Sequence, residues 1–349
     1  INELYKNGYE GYVVGGCVRD MLMGNTPKDW DITTNAKPDD VKRVFKKTID
    51  TGIAHGTVTV RINKVSYEVT TYRIDGEYKD SRRPEEVFFT KQIELDLERR
   101  DFTMNAMAYN EIEGLKDYFN GFNDINDKII KCVGTAEKRF EEDALRIMRG
   151  IRFASQLGFE IEQKTLEGMA QKCELLTKIS KERIRDELDK MLCGKYPAKA
   201  IQIMAKTGVM KVILPELEEC VGFEQHNPNH DKDVFMHTIS VIENSTEDRI
   251  VRIAALFHDI GKPKCFTKDS NGIGHFYGHE EISAELAVKI MRRLKYDNNT
   301  IEKVKLIINE HMNLSGDFKK TSTLKRLILR VGEENLKQLF ALKRADIKG

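Results

Sequence analysis

The sequence predicts an α+β chain in which strands and helices mix in the front part and helices alone follow behind. Thr57 to Ile62 and Val65 to Tyr72 alternate as two strands, and Asn63-Lys64 between them fits a two-residue hairpin turn. Arg139 to Gln156 carries an apolar stripe (Ala144, Ile147, Met148, Ile151, Ala154) at three- and four-residue steps, the period of a helix. From Pro197 onward the pattern is helical throughout, with breaks at Gly208, Pro215, Pro228 and Gly272-Ile273-Gly274.

The chain has 349 residues, room for two or three domains with a substantial core. Its composition, 40% apolar and 32% charged, describes a soluble, helix-rich protein. A net charge of +1 argues neither for nor against a nucleic-acid partner, so basic patches have to be local. The six cysteines are scattered with no C-x-x-C pair, which excludes a zinc ribbon or disulfide framework and fits a reduced, cytoplasmic compartment. With no signal peptide and no apolar run long enough to span a bilayer, no membrane partner is expected. The chain starts at Ile1 rather than Met and stops at Gly349 without a closing signal, as expected of a chain trimmed at one or both ends. Oligomeric state is not legible.

The stretch Val13 to Thr34 organises the front part. An apolar run (Tyr12, Val13, Val14) leads into Gly15-Gly16, then an amphipathic segment opening with Arg19 and Asp20, then Asp29-Trp30-Asp31. Aspartates two apart in an extended segment share one side, with Trp30 and Ile32 on the other. Two such carboxylates call for a cation, and hard oxygens suit Mg²⁺ held together with substrate phosphates. A Gly-Gly turn before a helix leaves N–H groups for a triphosphate. Glu68, on the second strand of the hairpin, is a candidate third metal carboxylate. Pro38-Asp39-Asp40 opens a helix, with proline and acids in its first turn.

A charged loop occupies Asp75 to Leu97, and Asp96 to Ala106 starts a helix carrying Arg99-Arg100-Asp101, a set suited to a triphosphate and a ribose hydroxyl. On the polar face of the Arg139 to Gln156 helix lie Glu142, Asp143, Arg146 and Arg149. Asp143 and Arg146 stand one turn apart, an acceptor pair beside a donor fork able to bond the Watson–Crick edge of a free base or, equally, to form an intrahelical ion pair.

Gly15-Gly16-Cys17-Val18-Arg19-Asp20, Asp29-Trp30-Asp31, Arg99 to Ala106 and Glu142-Asp143-x-x-Arg146 resemble, in order and spacing, the bacterial class II tRNA nucleotidyltransferase and poly(A) polymerase family. The resemblance covers about the first 200 residues. It implies a catalytic head of the DNA polymerase beta type over 1–135, a helical neck for base recognition over 136–200, and a helical body over 201–349. It further implies metal ligation by Asp29 and Asp31 with Glu68, and nucleotide binding by Gly15, Gly16, Arg19, Arg100, Asp101, Asn105, Asp143, Arg146 and Arg149. Asp117, Gly121 and Asp124 resemble the family's hinge motif. Arg183 and Arg185 resemble residues that support the nucleotide-binding helix.

The implied activity is template-independent addition of CMP, CMP and AMP to the tRNA acceptor end from CTP and ATP, with poly(A) or A-only addition as alternatives. The undiminished loop from Tyr78 to Val87 resembles that of enzymes adding all three nucleotides. Seven of the eight histidines lie after Pro197. His237, His258-Asp259, His279, His311 and Asp346 resemble, in order, the ligands of HD-superfamily metal phosphohydrolases. Imidazoles with carboxylates suit two divalent ions such as Ni²⁺ or Mn²⁺, which activate water against a phosphoester. A phosphodiesterase or phosphatase with an RNA-binding front half is the reading from another class.

Overall fold

Asn63 and Lys64 both take positive φ, 50° and 68°, as a two-residue hairpin turn requires, and the strands on either side pair from Ile62↔Val65 to Thr57↔Thr70. The computed structural model describes residues 1–76, 86–226, 232–314 and 321–349. They fall into two units, Ile1–Arg146 with Phe159–Lys178, and Ile147–Gly158 with Ile179–Gly349.

The first unit opens with α1 (Asn2–Lys6), β1 (Gly11–Val14), α2 (Gly16–Leu22), β2 (Asp31–Thr34) and α3 (Pro38–Val44). β3 (Thr48–Gly52), β4 (Thr57–Ile62) and β5 (Val65–Thr71) follow, then a ribbon of β6 (Arg73–Asp75) and β7 (Val87–Phe89). Next come α4 (Ile93–Glu98), a 3₁₀ turn at Thr103–Asn105, β8 (Ala108–Asn110), β9 (Gly114–Lys116) and α5 (Gly121–Asn126). After β10 (Ile129–Ile130) and α6 (Ala136–Glu142), α7 (Leu145–Leu157) starts here and continues in the second unit. β11 (Glu160–Ile161) pairs in parallel with β10, and α8 (Gln163–Lys172) completes the unit.

The main sheet runs β3-β4-β5-β2-β1-β8-β9, and only the β2–β5 pair is parallel. Alternation along the strands supplies two cores. Tyr12, Val14, Tyr72, Leu97 and Ala108 pack together, and Leu4, Val41, Val58, Val60 and Val69 form a second cluster.

Two expectations change. The Arg139 to Gln156 helix is two helices, because Asp143 takes extended angles (φ −141°, ψ 102°) and its carboxylate accepts the Leu145 N–H. That local bond competes with helix continuation. The helix expected to start at Asp96 instead ends at Glu98, after which the chain extends so that Phe102 and Met104 are fully buried. Residues 77–85, which hold most of the expected Tyr78 to Val87 loop, lie outside the described residues, as does Pro228.

In the second unit α9 (Lys181–Leu192) leads to α10 (Pro197–Lys206), α11 (Val209–Ile213) and α12 (Pro215–Glu218), with Pro197 and Pro215 in first turns and Gly208 left-handed at φ 74°. α13 (Val234–Asn244), α14 (Arg249–Phe257) and α15 (Lys262–Cys265) precede a departure from the all-helical expectation. This is the short ribbon of β12 (Thr267–Lys268) and β13 (Gly274–His275) around the Gly272 turn. α16 (His279–Arg293), α17 (Asn298–Glu310), α18 (Thr321–Val331) and α19 (Glu333–Lys348) finish the unit. Among the described residues no helix is long and apolar enough to cross a membrane.

Candidate functional site

Parallel pairing of β2 with β5 sets Asp31 opposite Glu68, and partners in register project to the same face of a sheet. Both are exposed. Trp30 and Ile32 join Tyr67 and Val69 around a cavity of about 490 Å³, as alternation predicts. Asp29 is not in the strand: it lies in the bend before β2, whose first laddered residue is Asp31. Partial desolvation raises the Asp31 pKa; Arg100 opposes this and the Asp29 charge adds to it. Asp29, Asp31 and Glu68 do not form a tight donor set, since among the described residues triplets within 4.8 Å occur only in the second unit. Three carboxylates repel until a cation joins them, and an all-oxygen donor set at an exposed sheet face fits Mg²⁺.

Gly15 takes φ 81° and ψ −129°, a conformation open to glycine, and a Cβ there would stand 2.8 Å from Arg100 Nη1. Gly16 is less constrained, as its Cβ would meet only Arg19 Nη2, at 3.7 Å. Arg19 binds Asp20 (2.7 Å) and donates to Asn105 Oδ1 (2.8 Å). Asn105 in turn donates to Asp101 Oδ1 (3.2 Å), which also accepts the Phe102 N–H (2.8 Å). The structure thus joins Arg19, Asn105 and Asp101 into one relay.

Beneath the arginines sits Asp96, fully buried. Its Oδ1 accepts from Arg99 Nε (3.0 Å) and Nη2 (2.9 Å) and from the Arg73 N–H (3.3 Å). Its Oδ2 accepts from Thr33 Oγ1 (3.2 Å) and lies 3.8 Å from Arg100 Nη2. Burial would push this carboxylate up, but the Arg99 and Arg100 charges outweigh it and hold it below the usual range. Burial likewise lowers the Arg100 pKa, against the pull of Asp96.

Arg146 is buried rather than on an open polar face. Its Nη1 bonds Glu142 (2.7 Å) and the Arg139 carbonyl (3.3 Å), and its Nη2 bonds the Arg99 carbonyl (2.8 Å). Glu142 also holds Arg139 (2.8 Å), so one carboxylate anchors two guanidiniums beside a cavity of about 580 Å³ lined by Asp75, Arg99, Arg139 and Glu142. Asp143 caps α7. Arg149 belongs to the second unit, where its guanidinium lies 5.7 Å from the Phe153 ring centroid. Arg185 bonds the Lys295 carbonyl and Asp186 Oδ1 (2.8 Å) and lies 6.0 Å from the Tyr296 ring centroid. In the hinge motif Asp117 receives the Gly121 and Phe122 N–H groups (2.8 and 2.9 Å), and Asp124 receives the Thr103 hydroxyl (2.6 Å). Sequence reading gave no role to Asp96, Glu142 or Arg139; the three- and four-residue steps from Asp96 to Arg99 and Arg100, and from Arg139 to Glu142 to Arg146, were the available signal.

All six residues of the histidine set converge in the second unit. His237 Nε2 lies 3.4 Å from His258 Nε2 and 3.2 Å from Asp346 Oδ1, while Asp259 reaches His258 (3.3 Å), His237 (3.5 Å) and His279 (3.2 Å). His258, His279 and His311 turn Nδ1 to the carbonyls of Ala255, Phe276 and Ile308, at 2.8, 2.9 and 2.6 Å, which leaves Nε2 toward the centre. Such carbonyl bonds fix ligand histidines. Donors on one ion with bonds of about 2.0–2.2 Å lie about 3–3.6 Å apart, so the set fits a transition metal. Burial lowers the His311 pKa to about 4, and the neighbouring His258 adds to the effect. Lys262, 2.7 Å from Asp259, lines the adjoining cavity of about 760 Å³ with Lys232 and Lys343.

Residues 11–131 match the family described as poly A polymerase head domain, 158–221 that described as probable RNA and SrmB-binding site of polymerase A, and 234–347 the HD domain. A CCA-adding enzyme of Bacillus stearothermophilus, solved in complex with CTP, superimposes with a TM-score of 0.75 at 32% identity, covering 99% of this chain and 76% of that one. The chain belongs to the family of CCA-adding enzymes and poly(A) polymerases. CCA-adding enzymes of Lactobacillus delbrueckii subsp. bulgaricus (44% identical over 261 residues, 72% of this chain) and Geobacillus stearothermophilus (49% over 217 residues, 62% of this chain) are similar in sequence. The chain spans 64% and 54% of the lengths of those two family members.

Proposed function

We propose that the protein is a template-independent CCA-adding enzyme, joining CMP, CMP and then AMP to a tRNA 3′ end from CTP and ATP with release of pyrophosphate. The observation that carries this reading is the Asp31–Glu68 register, which puts two carboxylates on one sheet face, with Arg100 close enough to act on the Asp31 charge. In this reading residues 1–135 form the catalytic head, 136–200 the neck and 201–349 the body. Asp29, Asp31 and Glu68 would hold Mg²⁺, which when bound favours the ionised 3′-hydroxyl and neutralises charge on the pyrophosphate. The hydroxyl oxygen bonds to the α-phosphorus as the bond to the β-phosphate oxygen breaks, and pyrophosphate carries that electron pair away.

The chain's own residues position the reactants. Arg100 and Arg19, with the Gly15-Gly16 backbone, grip the triphosphate, and Asp101, oriented by Asn105, accepts from the ribose. Asp143 and Arg146 meet the base edge, the latter from a guanidinium whose direction is set by Glu142. RNA is held by shape and backbone at the acceptor end.

The test is a tRNA transcript lacking CCA, given Mg²⁺ with CTP, ATP or both. Two additions with CTP and a third only with ATP are expected; a ladder of adenosines or a single A would move the reading to the family alternatives. A second reading, metal-dependent phosphoester hydrolysis, is favoured by the six-donor centre beside Lys262 and its cavity. His237, His258, Asp259, His279, His311 and Asp346 would hold Ni²⁺ or Mn²⁺, which when bound would acidify a water, and supplying those ions with a phosphodiester is the test.

A further inference from the structure

We infer that Asp96 is a positioning residue for the triphosphate: one buried carboxylate ties the strand of Asp31 to Arg99 and to Arg100, the arginine read as gripping the phosphates. This rests on the reading of the front unit as a triphosphate site.

Thr33 stands two residues after Asp31 on β2, so it shares that side chain's face of the sheet, and it is fully buried. Its hydroxyl donates to Asp96 Oδ2 (3.2 Å), while Oδ1 takes two N–H groups of Arg99. Arg100 Nη2 lies 3.8 Å from Oδ2, and Arg100 Nη1 is at the Gly15 turn. The Arg73 N–H adds a fourth tie, from the first residue of β6. Asp96 therefore fixes the distance between the carboxylate strand and the guanidiniums. It also holds the two guanidiniums, Arg99 shared with Asp75 at 3.8 Å, in one fixed direction. Neither function needs Asp96 to touch a ligand. Phosphoryl transfer is mostly alignment, and a shift of about 1 Å in such a frame costs up to about 100-fold in rate.

Binding is read by isothermal titration calorimetry, without turnover. The full chain is titrated with Mg²⁺ and inorganic tripolyphosphate, and the same preparations are assayed for kcat and KM with CTP and the tRNA transcript. Asp96→Asn is expected to weaken tripolyphosphate binding about 10-fold, the worth of a charge-assisted hydrogen bond. Its kcat should fall while the KM for tRNA stays put, a split that general loosening would not give. Thr33→Val keeps the carboxylate and removes the hydroxyl that Asp96 shares with the Thr70 carbonyl (3.2 and 3.3 Å), and should weaken tripolyphosphate binding about 3-fold.

A folded Asp96→Asn with wild-type affinity and kcat overturns the inference. If Asp96→Asn does not fold, wild-type affinity in Thr33→Val overturns it. Tripolyphosphate binding that depends on Asp96, in a chain that adds no nucleotide to tRNA, would sink the proposed function and leave this inference standing.

Discussion

Asp96 holds two arginines with a single charge, and this has a signature in acid. Its folded pKa is depressed, so its stabilisation is fully present above the ordinary carboxylate value of about 3.9 and is lost as pH falls through the folded value. Asp96→Asn should cost about 2–3 kcal/mol at neutral pH, less than a fully buried pair because both arginines keep an exposed edge. Denaturant melts from pH 7 to pH 3 should show the gap to wild type narrowing below pH ~4; a constant gap would deny the charge any part in it. Gly15→Ala tests the turn. The strained angles should cost about 1–3 kcal/mol, and the new methyl should displace Arg100, weakening tripolyphosphate binding while Gly16→Ala does far less. Asp31, Arg100 and Asp101 stood out in the sequence because their spacing is a motif. Asp96 did not, because a buried carboxylate is recognised by what surrounds it, and its partners come from Thr33 and Arg73 as well as from Arg99 and Arg100 just past the end of its helix.

Between elements, what was legible depended on whether local and tertiary preferences agree. The β4–β5 hairpin was readable because alternation and the turn residues point the same way. The break at Asp143 was not, since the apolar stripe runs on through a residue whose side chain caps the next helix. Asp143→Ala should remove about 1 kcal/mol of helix capping, whereas Asp143→Asn keeps the cap. Comparing CTP with ATP incorporation in the two variants separates capping from base reading: selectivity lost in both belongs to the base edge, lost only in Ala to the cap. The end of α4 before Arg99 was equally hidden, because burial of Phe102 and Met104 decides it.

Across the described residues, the close donor clusters of imidazoles with carboxylates lie in the second unit, and the proposed all-oxygen site belongs to the first. The order of the second set resembles that of HD-superfamily ligands; His237, His279 and Asp346 stand on α13, α16 and α19, His258 and Asp259 just past α14, and His311 just past α17. His258→Ala and Asp346→Ala should strip transition metal from the purified protein, read by elemental analysis, and leave nucleotide addition within about 2-fold, the limit expected of independent sites. Loss of both activities would make the sites one system. The first unit is also discontinuous along the chain: β10 pairs with β11, whose Glu160 and Ile161 come after the α7 segment Ile147–Gly158 has left for the other unit. On the ribosome, a polypeptide stopped just after Arg146 would already carry the carboxylates and arginines of the front unit. Its β10 edge and the contact surface of α6 would wait uncovered until translation passed Lys172. Synthesis order thus ties completion of the catalytic unit to residues encoded well beyond it, and a nascent chain released early would be a target for chaperones or proteases.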